Sequence, residues 1–493
     1  ACPFLSFAQR EVISTVKIKP PASREQRNQL IAALELDHFY YDSDGDIICE
    51  INDKAVRALQ ATNNSFRVVI PDMARYLQQE NQRFYTERAA GIKPAQRLAF
   101  EQPGKTIDDI IPTPAAFEVK STFGGYYSFA EMEAAMSSLV ATYPTLARRT
   151  SLGKSYENTR DIWCIKISDN VATDELGEPE VLYMGLQHAR EAIGGSSMIF
   201  FMQYLCENYA TNPRVKELVD NRQVYIVVCT NPDGWEYNRG TGAGSGWRKN
   251  RKLNSGGSYG VDLNRNYGVD WGNCSGASQS CGSSTQSDAT YFGTAAFSEP
   301  ETQAIRTFTQ SRRLVAMIDQ HAYGPYYSLP FGRPSLHTMD PLDAKFYTYI
   351  PAAMGLYNGM RAGNSLESVG YEVAGGIKDW MFMGNIGTGT KGKVYGMTGE
   401  GGAGGGTSGS YGSFWAPASQ IENLCKGMTF QNLQLLIAAG SYVNLQDGSD
   451  LNITVKNTTL NYNITRVGLA DLPVTVSLIP IENVESAGAP VVT

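Results

Sequence analysis

A chain of 493 residues is longer than one ordinary domain, and its 42% apolar content, with 27 Tyr and 19 Phe, suffices for a large core. A formal net charge of −7 excludes a basic nucleic-acid footprint, and no apolar run is long enough to span a membrane. The chain opens Ala1-Cys2-Pro3 without an initiator Met, as it would after removal of a signal peptide.

In chain order, Val12–Lys19 predicts a strand, and Ser23–Leu34 a helix with Ser23 as its cap. Residues 47–52 and 67–70 predict further strands, and the polar stretch Asp72–Arg88 a helix. Residues 1–88 therefore form a small α+β unit. Residues 89–120 carry Pro94, Pro103, Pro112 and Pro114 without a period and predict a linker. Residues 121–439 alternate strand and helix signals. Val181–Gly185, Val224–Cys229, Leu314–Asp319 and Val394–Met397 are short apolar strands, and Gly194–Tyr209 is an apolar helix. This predicts an α/β domain with a mixed sheet flanked by helices. Gly399–Gly406 predicts a mobile or unusually tight loop. Residues 440–493 turn to Val, Thr, Ile and Asn alternation and predict a short all-β extension.

None of the eight cysteines forms a C-x-x-C pair, and Cys274 and Cys281 close a short polar loop that reads as a local disulfide. Sequons stand at Asn63, Asn273, Asn452, Asn457 and Asn463. Together these favour an oxidising, extracellular compartment, so a secreted glycoprotein is expected.

With four His in the chain, each is informative. His188 and Glu191 stand three apart just after a strand, and His321 follows another. Zinc accepts imidazole nitrogen and carboxylate oxygen, and catalytic sites keep one position open. An isolated His-x-x-Glu is a short, common pattern, with a satisfied core histidine as its plain alternative. His38 and His337 belong to no such pattern and receive no function.

The surroundings narrow the choice. His188-Ala189-Arg190-Glu191, Asn231-Pro232-Asp233-Gly234, Trp247-Arg248-Lys249 and Asp262-Leu263-Asn264-Arg265-Asn266 come in order. His321-Ala322-Tyr323, Tyr371 through Trp380, Thr398-Gly399-Glu400 and Pro417-Ala418-Ser419-Gln420-Ile421 follow. Over roughly residues 119–440 this series resembles the zinc metallocarboxypeptidase family of the pancreatic carboxypeptidase A and B type. The resemblance implies one Zn2+ per chain on His188, Glu191 and His321, with Asp262 fixing the tautomer of His188. It implies that Glu400 is the general base and that Arg248 stabilises the oxyanion. Asn264, Arg265 and Tyr371 would capture the terminal carboxylate, and Arg190 and Tyr323 would line the next subsite. Lys378 would sit at the base of the side-chain pocket and favour Glu or Asp, whereas a one-residue shift would place Ile377 there. The family usually has bulky residues beside the catalytic Glu, where this chain has Gly399 and Gly401. The N-terminal unit resembles the family's activation domain, released by a protease cutting the linker near Arg88, Arg97 or Lys105. The implied partners are peptide or protein C-termini and that activating protease. The alternatives are a zinc amidohydrolase of acylated amino acids or cell-wall peptides, a carboxypeptidase with apolar preference, and an inactive binding protein.

Overall fold

The computed structural model describes residues 11–42, 44–91, 106–277, 279–384, 391–402, 413–448, 461–470, 473–477 and 491–492. Cys2, the sequons at Asn452 and Asn457, and the cleavage candidates Arg97 and Lys105 lie outside these residues.

The N-terminal unit is a four-stranded antiparallel sheet of β1 (Ile13–Ile18), β2 (Tyr40–Tyr41), β3 (Ile47–Asn52) and β4 (Phe66–Ile70), in the order β2-β3-β1-β4. Ser23 caps the first helix, Arg24–Ala33, by accepting from the Gln26 amide, as the sequence predicts. A further helix, Asp53–Gln60, starts on an Asn52 cap that accepts from the Ala55 amide. The third helix, Met73–Ala89, starts on Asp72 and packs toward the large domain, where its Asn81 carboxamide contacts Gly124 and Ala418.

The large domain holds an eight-stranded mixed sheet made of β5 (Ala147–Lys154), β6 (Asp161–Ile167), β7 (Glu180–Gly185), β8 (Gln223–Val227), β9 (Leu314–Ala322), β10 (Tyr326–Ser328), β11 (Arg361–Gly363) and β12 (Tyr395–Gly401). The spatial order is β11-β10-β12-β9-β7-β8-β6-β5. The centre, β12-β9-β7-β8, is parallel, and β10 and β6 run against it. Every residue of β7 and β8 is buried, as expected of strands covered on both faces. The apolar helices Ile193–Asn208 and Ala418–Ala439 bury the larger core on one side. Phe297, Ile305 and Trp380 belong to a second core on the other face.

The C-terminal region contributes two small antiparallel pairs, β13 (Val443–Asp447) with β14 (Tyr462–Arg466) and β15 (Thr475–Val476) with β16 (Val491–Val492). This agrees with the short all-β extension. Cys274 and Cys281 are bonded. Cys49, Cys164, Cys206, Cys229 and Cys425 are free and buried, so among the described residues the cysteine argument for an oxidising compartment narrows to one bridge. Asn63, Asn273 and Asn463 are exposed.

Two boundaries differ from expectation, and both bear on the site. β9 does not end at Asp319 but runs on through His321, and Gly399 to Gly401 are strand rather than loop. The reason is mutual pairing, with Glu400 opposite His321 and Gly401 opposite Ala322. Space is tight at both glycines. A Cβ on Gly401 would meet the Met428 Cε at 2.6 Å, and one on Gly399 would crowd the Gln320 carboxamide at 3.1 Å. A bulkier residue at either position would need the Met428 or Gln320 side chain to shift.

Candidate active site

The site lies at the carboxyl ends of β7, β9 and β12, where an α/β sheet leaves a crevice. His188 and Glu191 follow β7 and His321 lies in β9, all buried, with ligand atoms within 4.8 Å of one another. The His188 Nε2 faces Asp262 Oδ1 at 3.0 Å, and the His321 Nε2 faces Asp319 Oδ2 at 2.8 Å. With each Nε2–H given to its aspartate, both Nδ1 lone pairs turn inward, 2.9 Å apart. Glu191 adds its two oxygens, 2.8 Å from the His188 Nδ1 and 2.7 Å from the His321 Nδ1. Three acceptors converging in a buried space need a cation between them, so the donor set fits zinc.

Asp319 was absent from the sequence-derived set. It sits two residues before His321 on one strand, so both side chains point to one face, and that spacing was a usable signal. Gln187 donates to the same Asp319 oxygen at 2.8 Å and accepts from the Tyr267 hydroxyl at 2.9 Å, which fixes the carboxylate. Burial alone would raise the Asp262 carboxyl, but Arg248, Arg265 and His188 outweigh it and hold it well below the usual range.

A small cavity is lined by His188, Glu191, Arg248, Asn264, Arg265, Tyr371, Lys378 and Glu400, so most of the expected residues meet around one space. Glu400 keeps one buried oxygen without a partner among the described residues. Burial, offset in part by His321 and reinforced by Glu191, pushes its carboxyl up to about 7. Arg248 grips Asp262 through Nε at 3.1 Å and Nη2 at 3.0 Å, with Nη1 3.5 Å from Glu191. Asn264 accepts from the Ile377 amide, and Arg265 donates to the carbonyls of Asn264 and Ser280 at 2.9 Å each. The Lys378 ammonium is buried and donates to Ser328 Oγ at 2.6 Å and Ser365 Oγ at 2.7 Å. Burial lowers its pKa to about 8. Ile377 packs instead into the second core, behind the cavity. Tyr323 is buried with its hydroxyl unpartnered among the described residues, and Arg190 lines a neighbouring cavity with Arg248 and Phe414.

The N-terminal unit reaches into this cleft. Asp37 accepts from Arg190 Nη2 at 2.7 Å and lies 3.7 Å from Arg248, and its carbonyl accepts from the Tyr371 hydroxyl. Ser280 Oγ donates to the Leu36 carbonyl at 2.8 Å. His38, left without a function in the sequence reading, lines the same cavity and bonds the Tyr323 carbonyl. His337 pairs with Asp270 at 2.7 Å, apart from the cavity.

The profile of the family described as zinc carboxypeptidase matches residues 132–430, more than half the chain. A protein named zinc carboxypeptidase from Saccharothrix mutabilis subsp. capreolus is 35% identical over 279 residues, 56% of this chain and 63% of that one. This chain thus spans less than two thirds of that relative. In fold, it is similar to thrombin-activatable fibrinolysis inhibitor at TM-score 0.63 and 20% identity, over 87% of this chain and 98% of the other. The carboxypeptidase A of Helicoverpa armigera superposes at TM-score 0.62 and 20% identity, over 87% and 99%. The sequence match covers His188, Glu191, His321 and Glu400, and the chain belongs to the zinc carboxypeptidase family.

Proposed function

We propose that this chain is the latent form of a secreted zinc exopeptidase that removes single residues from peptide C-termini, with a preference for Glu or Asp at the last position. The observation that carries the reading is one cavity on which the His188 and Glu191 donors, Glu400, Arg248 and Arg265 all converge. His188, Glu191 and His321 would hold the zinc, which when bound polarises the scissile carbonyl and makes water a better nucleophile. Glu400, buried and with a pKa near 7, takes a proton from the attacking water and gives it to the leaving amine. Arg248, kept cationic and oriented by Asp262, stabilises the oxyanion. Arg265 with Asn264 and Tyr371 binds the substrate's terminal carboxylate, which restricts cleavage to the last bond.

The acidic preference rests on Lys378. A buried ammonium with two hydroxyl acceptors retains one N–H for a third, and a substrate carboxylate supplies it. Latency rests on the segment Leu36 to His38, because Asp37 occupies Arg190 and Tyr371, which a substrate would need. Activation requires proteolysis at or after the end of the helix Met73–Ala89, where Arg88 in its last turn is the exposed candidate among the described residues. Secretion is supported by the Cys274–Cys281 bridge and the exposed sequons.

The test is a panel of peptides differing only in the last residue, assayed before and after limited trypsin treatment. The reading expects release of C-terminal Glu at least about tenfold faster in kcat/KM than Leu, from the trimmed protein only. Release of Leu best, or equal activity of the uncut chain, defeats the preference and the latency respectively.

A further inference from the structure

The small unit and the large domain enclose a cavity of about 250 Å3 beside the zinc cleft, with Arg248 on the border of both spaces. Its two walls carry opposite charge. Arg190, Arg248 and Lys249 stand on the large-domain wall, which has no acidic residue among those described. Glu11, Glu35, Asp37 and Glu50 stand on the small-unit wall, and the one cation there, Lys54, is paired with Glu35 at 2.9 Å.

The contact at Arg190 shows what the basic wall takes. Its guanidinium lies 3.9 Å from the centroid of the buried Phe414 ring, which supports it flat and leaves its N–H edge for a partner. That edge donates from Nη2 to Asp37 Oδ2 at 2.7 Å, and Asp37 is the only carboxylate paired with Arg190 among the described residues. The Arg190 Nε–H has no partner among them. A second small-unit carboxylate, Glu50, feels the same charge. Burial pushes its carboxyl up to about 7, and Ser413 and Arg190 offset that in part. The other two cations differ. Arg248 is held by Asp262 of its own domain at 3.0 and 3.1 Å, and Lys249 donates to the carbonyls of Gln286 and Asp288 at 2.9 Å each. When the small unit leaves, Arg190 alone loses the carboxylate that it grips.

We propose that in the trimmed enzyme Arg190, supported on Phe414, binds an acidic side chain inward of the substrate's last residue, in the place that Asp37 takes in the uncut chain. The proposal rests on the exopeptidase reading above and names its substrate class, chains that end in runs of Glu or Asp. A guanidinium edge left without a counter-charge favours a ligand that brings one. Lys378 reads the last residue and Arg190 one further in, so each removal delivers the next acidic residue to Lys378.

The experiment compares kcat/KM of the trypsin-trimmed protein on peptides that share one last residue. They carry Glu, Gln or Lys at the penultimate position or at the one before it. Glu should exceed Gln by about tenfold at one of these positions, with Lys slowest. The advantage should shrink as NaCl rises from about 0.05 to 0.5 M. Arg190→Lys should keep the order, and Arg190→Glu should invert it in favour of Lys, a change that a merely structural role does not produce. Equal rates for Glu and Gln at both positions overturn the proposal, and so does a Glu advantage that survives in Arg190→Glu. Should that variant not fold, an advantage in the parent that is flat with salt overturns it instead. The constant last residue keeps the result independent of Lys378, whereas hydrolysis of no peptide at all defeats the exopeptidase reading and this proposal with it.

Discussion

The N-terminal unit closes its core differently from the large domain. The large domain surrounds its sheet with helices and buries one core wholly of its own residues on one face, while its larger core on the other face also takes in Tyr40, Ile48, Met73, Leu77 and Phe84 of the small unit. The small unit gathers Val16, Ile18, Leu30, Leu34, Phe39, Ile47 and Ile51, and then borrows Val369, Tyr371 and Val373 from the cleft wall. A unit of this size has little interior to bury. By completing its core on the cleft wall, it covers the cleft as a condition of its own stability.

The sharpest break between the two regions comes from the metal ligands. His188→Ala or His321→Ala should abolish zinc binding and lower hydrolysis by about a thousandfold or more, read by elemental analysis and peptide assay. The small unit should stay folded and docked, since its core Val16, Ile18, Leu30, Leu34 and Ile47 closes against Val369, Tyr371 and Val373. Stoichiometric zinc in a variant lacking all three ligands would refute the assignment.

The next effect works from the other side. Ile18→Ala or Leu34→Ala should destabilise the small unit by about 2–4 kcal/mol through a cavity in its core. The uncut chain should then gain activity while the large domain keeps its melting transition. Asp37→Ala sharpens the comparison, because it frees Arg190 without touching the core and should raise uncut activity by about tenfold. Unchanged latency in both variants would show that the cleft is not blocked by this segment.

Much of this was legible in the sequence, and the failures have a common cause. The Ser23 cap, the strand Val181–Gly185 and the His188–Glu191 spacing are local signals, and they were read correctly. Glu400 was expected in a loop because glycines flank it. Only the opposite strand and Met428 reveal that those glycines lie in a strand and pack closely against their neighbours. Asp37 could not be found from sequence, since its partner Arg190 lies 153 residues away. The setting of Lys378 depends on Ser328, 50 residues away and on β10, a strand of three residues too short to carry a period.

Smaller effects test the pocket itself. Lys378→Asp should move the preference from Glu toward Lys and Arg, by about tenfold in the kcat/KM ratio. In the parent enzyme, the ammonium is charged below its pKa of about 8 and neutral above it. The Glu-over-Leu preference should therefore be full at pH 6.5 to 7, as a round working range, and fall by about tenfold per unit once pH passes that pKa. A ratio flat from neutral to alkaline pH would remove Lys378 from the recognition of the side chain.

His188 and His321 face each other across neighbouring parallel strands but are 133 residues apart in the chain. An ion held by both is therefore a covalent-like staple that closes a loop containing β8 and the whole oxyanion segment around Arg248. In chain-entropy terms, a cross-link over that span removes on the order of 5 kcal/mol of unfolded-state freedom. The ion that equips the cleft for chemistry would then also hold the two halves of the sheet together.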